Sequence, residues 1–211
     1  NYSDLFISST IFTMILTPFL IRISPRVADK SQLISTGKKE ENLTEKLSGH
    51  VIIGGFGMNG KNLAKVLSET GISYIAIEMN TDTVKEERQK GENIIYGDIS
   101  RKEVLEKAMI STAKVLVIAI SDRAISKRII TLAKSLNEEI FVIVRTRFFS
   151  ETEELIKLGA NYVIPEEFET SIQIFRKVLE QYHIPLNVIL QQIALLRGES
   201  YRWMRSEKPS T

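Results

Sequence analysis

A run of branched aliphatic residues, Val51-Ile52-Ile53, feeds directly into the stretch GGFGMNG and then into a helix-like segment, 61–67. Within that stretch Gly55, Gly57 and Gly60 stand at G-x-G-x-x-G spacing. Each position answers a separate steric need. The first glycine permits a tight strand-to-helix turn. The second lets a backbone approach a pyrophosphate. The third lets the helix lie close to the strand it has just left. The helix N-terminus then offers N–H groups and the positive end of its dipole to an anion. Three glycines also occur in ordinary turns, so the stretch acquires meaning from what surrounds it.

What surrounds it is an alternation. Apolar strand-like runs fall at 51–53, 74–77, 94–96, 115–120, 140–144 and 162–164, and helix-like segments at 59–69, 81–90, 101–108, 124–136 and 151–158 lie between them. Strand–helix alternation builds parallel βαβ units with right-handed crossovers and helices over both sheet faces. The run KVLVIAI is apolar throughout, as a central strand buried on two faces requires. The expected fold is α/β: a Rossmann-like, doubly wound, parallel six-stranded sheet in the order 3-2-1-4-5-6.

In such a sheet the ligand lies beyond the carboxyl ends of the strands. The second strand ends at Glu78, a little over twenty residues past Gly55, where an acid bonds ribose hydroxyls and repels a 2′-phosphate. NADP is therefore disfavoured. The third strand ends Tyr96-Gly97-Asp98-Ile99-Ser100; Asp98 can accept from an exocyclic amine, or Asp98 or Ser100 can cap the next helix. The fourth ends Ala119-Ile120-Ser121-Asp122, with Ser121 or Asp122 as an N-cap. The fifth ends Val144-Arg145-Thr146-Arg147. Arg145 is a candidate phosphate or carboxylate clamp, and Arg147 is read as solvated.

Composition removes whole classes of function. With 28 basic against 26 acidic side chains there is no excess of cations to neutralise a nucleic-acid backbone. Zero cysteines exclude disulfides and thiolate sites. The two histidines, His50 and His183, lie far apart and lack ligand-spaced companions, so no metal site is expected.

The first segment differs from the rest. Residues 5–23 read LFISSTIFTMILTPFLIRI, and roughly nineteen residues at about 1.5 Å each approach the hydrocarbon thickness of a bilayer. Asp4 precedes the run, while Arg22, Arg26 and Lys30 follow it, which puts the following chain in the cytoplasm. A buried soluble helix and a signal sequence are rival readings; the latter wants a basic start and a small-residue cleavage site, and neither is visible. Residues 30–48 read as a polar linker. After Pro165 the alternation stops. An apolar stripe, Ile172, Phe175, Val178, Leu179 and Tyr182, is broken at His183-Ile184-Pro185, and a second follows in Leu186, Ile189, Leu190, Ile193 and Leu196. The expected organisation is a transmembrane helix over 1–27, a linker over 28–49, the nucleotide-binding unit over 50–167, a hinged helix pair over 168–198 and a tail over 199–211.

The ordered set GGFGMNG, the acid in AIEMN, YGDIS, VIAISD, VRTRF and LGANYVIPEEFETS resembles the regulator-of-potassium-conductance domain, also called the TrkA N-terminal domain, in the version fused to Kef-type cation:proton antiporters. The apolar start, ending MILTPFLIRISPR, resembles the last membrane helix of that family. The resemblance implies a regulatory nucleotide site for AMP or NAD(H), and no catalysis. It implies Gly55, Phe56, Gly57, Met58, Asn59 and Gly60 as the phosphate loop, Glu78 as the ribose acid, Asp98 with Ile99 beside adenine, Ala119 at the fourth strand end, and Arg145 as clamp. It also implies a homodimer through the helices around Pro185, and a membrane-embedded transporter domain as partner in the inner (plasma) membrane. Many relatives carry arginine where this chain has Met58; its loss argues against a triphosphate. A potassium channel or uptake system built on the same domain is one alternative. An NAD-dependent oxidoreductase is another, but it needs a substrate domain, and after residue 164 only two helices and a tail remain.

Overall fold

The computed structural model describes residues 10, 12–18 and 47–206, with side chains through residue 198. The chain forms two compact units, Asn1–Glu45 and Lys46–Thr211. In the first, residues 12–18 are helical, and the Thr17 hydroxyl donates back to the Thr13 carbonyl at 2.6 Å. Among the described residues no helix is long and apolar enough to cross a membrane. The span expected over residues 5–23 lies mostly outside the described residues, as does most of the linker.

The second unit is built on six parallel strands: β1 (Val51–Gly54), β2 (Tyr74–Glu78), β3 (Ile94–Tyr96), β4 (Val115–Ile118), β5 (Phe141–Thr146) and β6 (Tyr162–Pro165). Their order is β3-β2-β1-β4-β5-β6, the expected one. The helices between them are α1 (Met58–Glu69), α2 (Thr81–Gln89), α3 (Lys102–Lys107), α4 (Arg123–Leu136) and α5 (Thr152–Lys157). Beyond β6 run α6 (Glu166–Gln181) and α7 (Leu186–Ser206). Gly198 does not end α7, which continues into the stretch read as tail. Glycine weakens a helix interior by about 1 kcal/mol but keeps its N–H, so it does not break the ladder.

Successive side chains of a strand face opposite ways, and the core divides accordingly. Ile52, Ile75, Ile77, Leu116 and Val142 pack with Leu105 of α3, Ile129 and Ile130 of α4, and Leu155 of α5. Val51, Ile53, Ala76 and Ile94 pack with Ala64 and Leu67 of α1 and Val84 of α2. The helices carry their own stops. Asn80 caps α2 by accepting from the Asp82 and Thr83 N–H groups, and Asp122 caps α4 by accepting from Ile125 N–H at 2.8 Å.

The expectation that both faces are covered holds for only part of the sheet. The crossover after β3 places α3, α4 and α5 together on one face, so of the helices between strands only α1 and α2 serve the other. On that side Phe141, Tyr162 and Ile164 stay part-exposed. Ile143 and Ile164 line a cavity of about 570 Å³ bounded by Asn59 and Leu63 of α1 and by Glu166, Glu169, Thr170 and Gln173 of α6. The helix pair has its own small core of Ile172, Ile189 and Ile193. His183 closes α6 with a left-handed φ of 58°, which lets the Ile184 N–H reach the Leu179 carbonyl.

Candidate functional site

The glycine turn is set by close approaches. Gly55 adopts φ +97°, and its N–H donates to the Ile77 carbonyl at 2.9 Å. A Cβ on Gly60 would sit 2.2 Å from the Gly55 carbonyl oxygen, so helix and turn meet where no side chain fits. Gly57 differs from both. It is the N-cap of α1, no side chain caps that helix, and a Cβ there would meet nothing within 4 Å. Uncapped N–H groups with open space before them are what an anion at a helix N-terminus requires.

Glu78, the last residue of β2, holds this turn. One carboxylate oxygen accepts from the Phe56 N–H at 2.8 Å; the other accepts from Met79 and Asn80 N–H, each at 2.8 Å. The expected ribose acid is thus also a strut between the glycine turn and the start of α2. A carboxylate has about four lone-pair sites, so three backbone donors leave it able to accept one more hydrogen bond.

A cavity of about 390 Å³ gathers most of the expected residues: Gly55, Gly57, Met58, Asn59, Gly60, Glu78, Ala119 and Arg145, with Ile120 in addition. Ile120 was not singled out from the sequence. It reaches the turn because Gly55 leaves room, its Cγ1 lying 3.1 Å from where a Gly55 Cβ would be.

Three expected residues are placed elsewhere. The Phe56 side chain is buried in the core with Ala64 and Ala76, so only its backbone belongs to the turn. Ile99 is also a core residue; its Cδ1 fills the space above Gly54 that a Cβ would claim at 2.4 Å. Asp98 does not line the cavity. Its Oδ1 accepts from Ser100 N–H at 2.9 Å within its own turn, and neither Asp98 nor Ser100 caps α3, whose N-cap is Arg101 with no side-chain cap. Arg145 reaches the cavity, but its guanidinium is engaged: Nη1 donates to the Ala119 carbonyl at 3.0 Å, and Nε forms an ion pair with Glu166. The sequence reading placed no partner on it.

Neither histidine lines the cavity. His50 is buried just before β1, with Nε2 2.9 Å from the Ala108 carbonyl oxygen, and His183 sits at the α6–α7 hinge. Among the described residues no group of His, Cys, Asp and Glu is arranged to hold a metal. A larger cleft of about 870 Å³ runs along α4 past Arg101, Lys127, Arg128 and Glu154, sharing no residue with the glycine turn. There Lys127 and Arg123 already pair with Glu154, holding its carboxyl below the usual glutamate range through their hydrogen bonds.

Parallel order β3-β2-β1-β4-β5-β6, a glycine turn opening onto a helix N-terminus and an acid at the end of β2 define the class of Rossmann-like nucleotide-binding domains. Residues 51–166 match the model of the TrkA-N domain, and the chain belongs to that family. A putative K⁺ efflux antiporter, KefB, of Alkalimonas amylolytica is 27% identical over 97% of this chain and 32% of its own length. The TrkA-N domain of the inner membrane protein YbaL from Escherichia coli shares 27% identity with a TM-score of 0.59, covering 64% of this chain and 98% of that one. The Shewanella denitrificans Kef CTD in AMP-bound form has a TM-score of 0.66 at 22% identity, over 74% of this chain and 96% of that one. The chain spans about a third or less of the length of the curated relatives it matches.

Proposed function

We propose that this chain is the nucleotide-sensing regulatory end of a membrane cation:proton antiporter that moves K⁺ or Na⁺. The observation that carries the reading is one cavity that joins the open glycine turn, Glu78 and Arg145. The regulatory ligand is AMP or NAD(H). NADP is disfavoured because Glu78, fixed by three N–H groups, places negative charge where a 2′-phosphate would lie. The antiporter relative and the AMP-bound Kef structure support this assignment. The role is sensing rather than turnover, in keeping with histidines that lie away from the cavity.

In this reading residues 1–27 supply the transporter's last membrane helix and the Rossmann-like unit lies in the cytoplasm. A second copy of the chain docks on α6 and α7. Support comes from Ile174, Val178, Tyr182, Leu186 and Leu190, which stay exposed while Ile172, Ile189 and Ile193 join the two helices. Ligand that binds one dimer arrangement better than the other shifts the population between them.

Calorimetry on the full 211-residue chain in detergent tests the site. Binding of AMP or NAD(H) is expected, with NADP weaker than NAD. No heat with AMP, NAD(H), ADP or ATP at millimolar concentration removes the proposal, and hydride transfer to any substrate favours an oxidoreductase instead. Light scattering tests the dimer: Val178→Asp with Leu190→Asp is expected to leave a folded monomer.

A further inference from the structure

Among the described residues Arg145 is the only cation lining the glycine-turn cavity, and it also lines the neighbouring 570 Å³ cavity. Its guanidinium is pinned from two directions. The Ala119 carbonyl holds Nη1 at the end of β4, and Glu166 faces Nε from the first residue of α6. Strand register fixes this meeting. Arg145 pairs with Ile164 and Thr146 with Pro165, so Glu166 follows one residue beyond the ladder. The two side chains stay 29% and 36% exposed, while the facing atoms, Nε of Arg145 and Oε1 of Glu166, are buried against each other.

The first turn of α6 carries three carboxylates with three different partners. Glu167 accepts from Phe149 N–H at 3.1 Å, and Glu169 accepts from Arg197 of α7 at 2.6 Å. Of the three, Glu166 alone pairs with Arg145, which it meets in the neighbouring 570 Å³ cavity that both residues line. Met58 supplies no charge to the glycine turn, so a ligand phosphate finds its one side-chain cation already neutralised by a carboxylate of the chain itself.

We propose that Glu166 is a tethered competitor of the ligand phosphate for Arg145, so that phosphate binding releases the first turn of α6. This rests on the nucleotide reading above. Glu166 is a specificity and positioning residue. It weakens ligands in proportion to their negative charge at this point, and it ties occupancy of the cavity to the helix that leads into α7. A carboxylate displaced from Arg145 remains favoured near the α6 N-terminus by the helix dipole, which keeps the exchange reversible.

The test is calorimetry of AMP and adenosine on the full chain, as wild type, Glu166→Gln, Arg145→Gln and the double variant. Glu166→Gln is expected to tighten AMP roughly five- to twentyfold and to move adenosine less than about twofold, as loss of one part-exposed charged competitor implies. In the Arg145→Gln background the same substitution changes AMP by less than about twofold, because the coupling partner is gone. Hydrogen exchange of residues 167–170 speeds up with AMP and not with adenosine. Equal tightening of both ligands, unchanged AMP affinity, the full effect persisting without Arg145, or exchange indifferent to AMP each overturns the proposal; Glu166→Ala repeats the measurement should the glutamine variant melt early. Wild type that takes up neither ligand overturns the nucleotide reading as well, an outcome distinct from binding that ignores Glu166.

Discussion

On the β1–β2 side of the crevice, position is fixed by backbone. Gly60 lies against the Gly55 carbonyl, the Phe56 N–H is held by Glu78, and Phe56 and Ile99 fill the core beneath the turn. On the β4–β6 side, position depends on side chains: Arg145 is held by the Ala119 carbonyl and Glu166, beside a sheet face that leaves Phe141 and Ile164 part-exposed. Backbone contacts cannot rearrange without breaking the strand ladder, whereas a side-chain ion pair can exchange partners by rotation of its side chains. The first side is suited to hold a ligand in one pose, the second to respond to it.

The largest expected effect separates fold from function within a single turn. Gly60→Ala forces a Cβ to within 2.2 Å of a backbone oxygen. It should cost about 2–3 kcal/mol, lowering the melting temperature by roughly 5–10 °C. Gly57→Ala, with nothing within 4 Å of its Cβ, should leave the melt within about 0.5 kcal/mol of wild type. It should nevertheless weaken AMP roughly tenfold or more in calorimetry, because the methyl occupies the approach to the helix N-terminus. Equal melts for the two variants would break the claim that the turn is fixed by close backbone contact.

A smaller effect is expected at the strut. Glu78→Gln keeps the shape but replaces one acceptor oxygen by an NH₂ that faces N–H donors. One or two of the bonds to Phe56, Met79 and Asn80 are lost, costing about 1–2 kcal/mol in chemical denaturation. The ratio of NAD to NADP affinity should fall with it. A stability loss with an unchanged ratio would make Glu78 a strut alone.

The two sides were not equally legible in the sequence. The glycine turn is local: spacing, an apolar run before it and a helix after it lie within twenty residues, and Glu78 follows at a fixed distance because one βαβ unit has a nearly fixed length. The Arg145–Glu166 pair joins a strand end to a helix start twenty-one residues later, and only the β5–β6 register puts them together. Ile99 shows a subtler miss. It stands beside Asp98 in a motif at a strand end, yet Gly54 opens a space that an aliphatic side chain fills. The doubled glycine at 54 and 55 carried that signal, since only one of the two is needed for the turn. The half-uncovered sheet was hidden because alternation counts helices without saying which face each one takes.

The smallest effect concerns how α1 and α2 are tied on the backbone-fixed side. Glu87 of α2 is buried and bonds Lys61 of α1 at 2.8 Å and Lys90 at 3.1 Å. The Lys61 hydrogen bond is the main cause that holds its carboxyl below the usual glutamate range, against the opposing effect of burial. A lowered folded-state pKa means that the unfolded chain takes up its proton first as pH falls. The stabilisation is therefore complete above the ordinary glutamate value of about 4.3 and is lost as pH drops through the lower folded value. Melting temperatures taken from pH 6 to pH 3 should fall by a few degrees less in Glu87→Gln than in wild type. Glu154 is shifted in the same direction by Lys127 and Arg123 but is only half-buried on α5, so Glu154→Gln should change the acid limb less than Glu87→Gln does, because solvent screens that cluster. If Glu154→Gln flattens the acid limb as much as Glu87→Gln does, the distinction between a tied interior and an adjustable surface does not extend to the helices that flank the site.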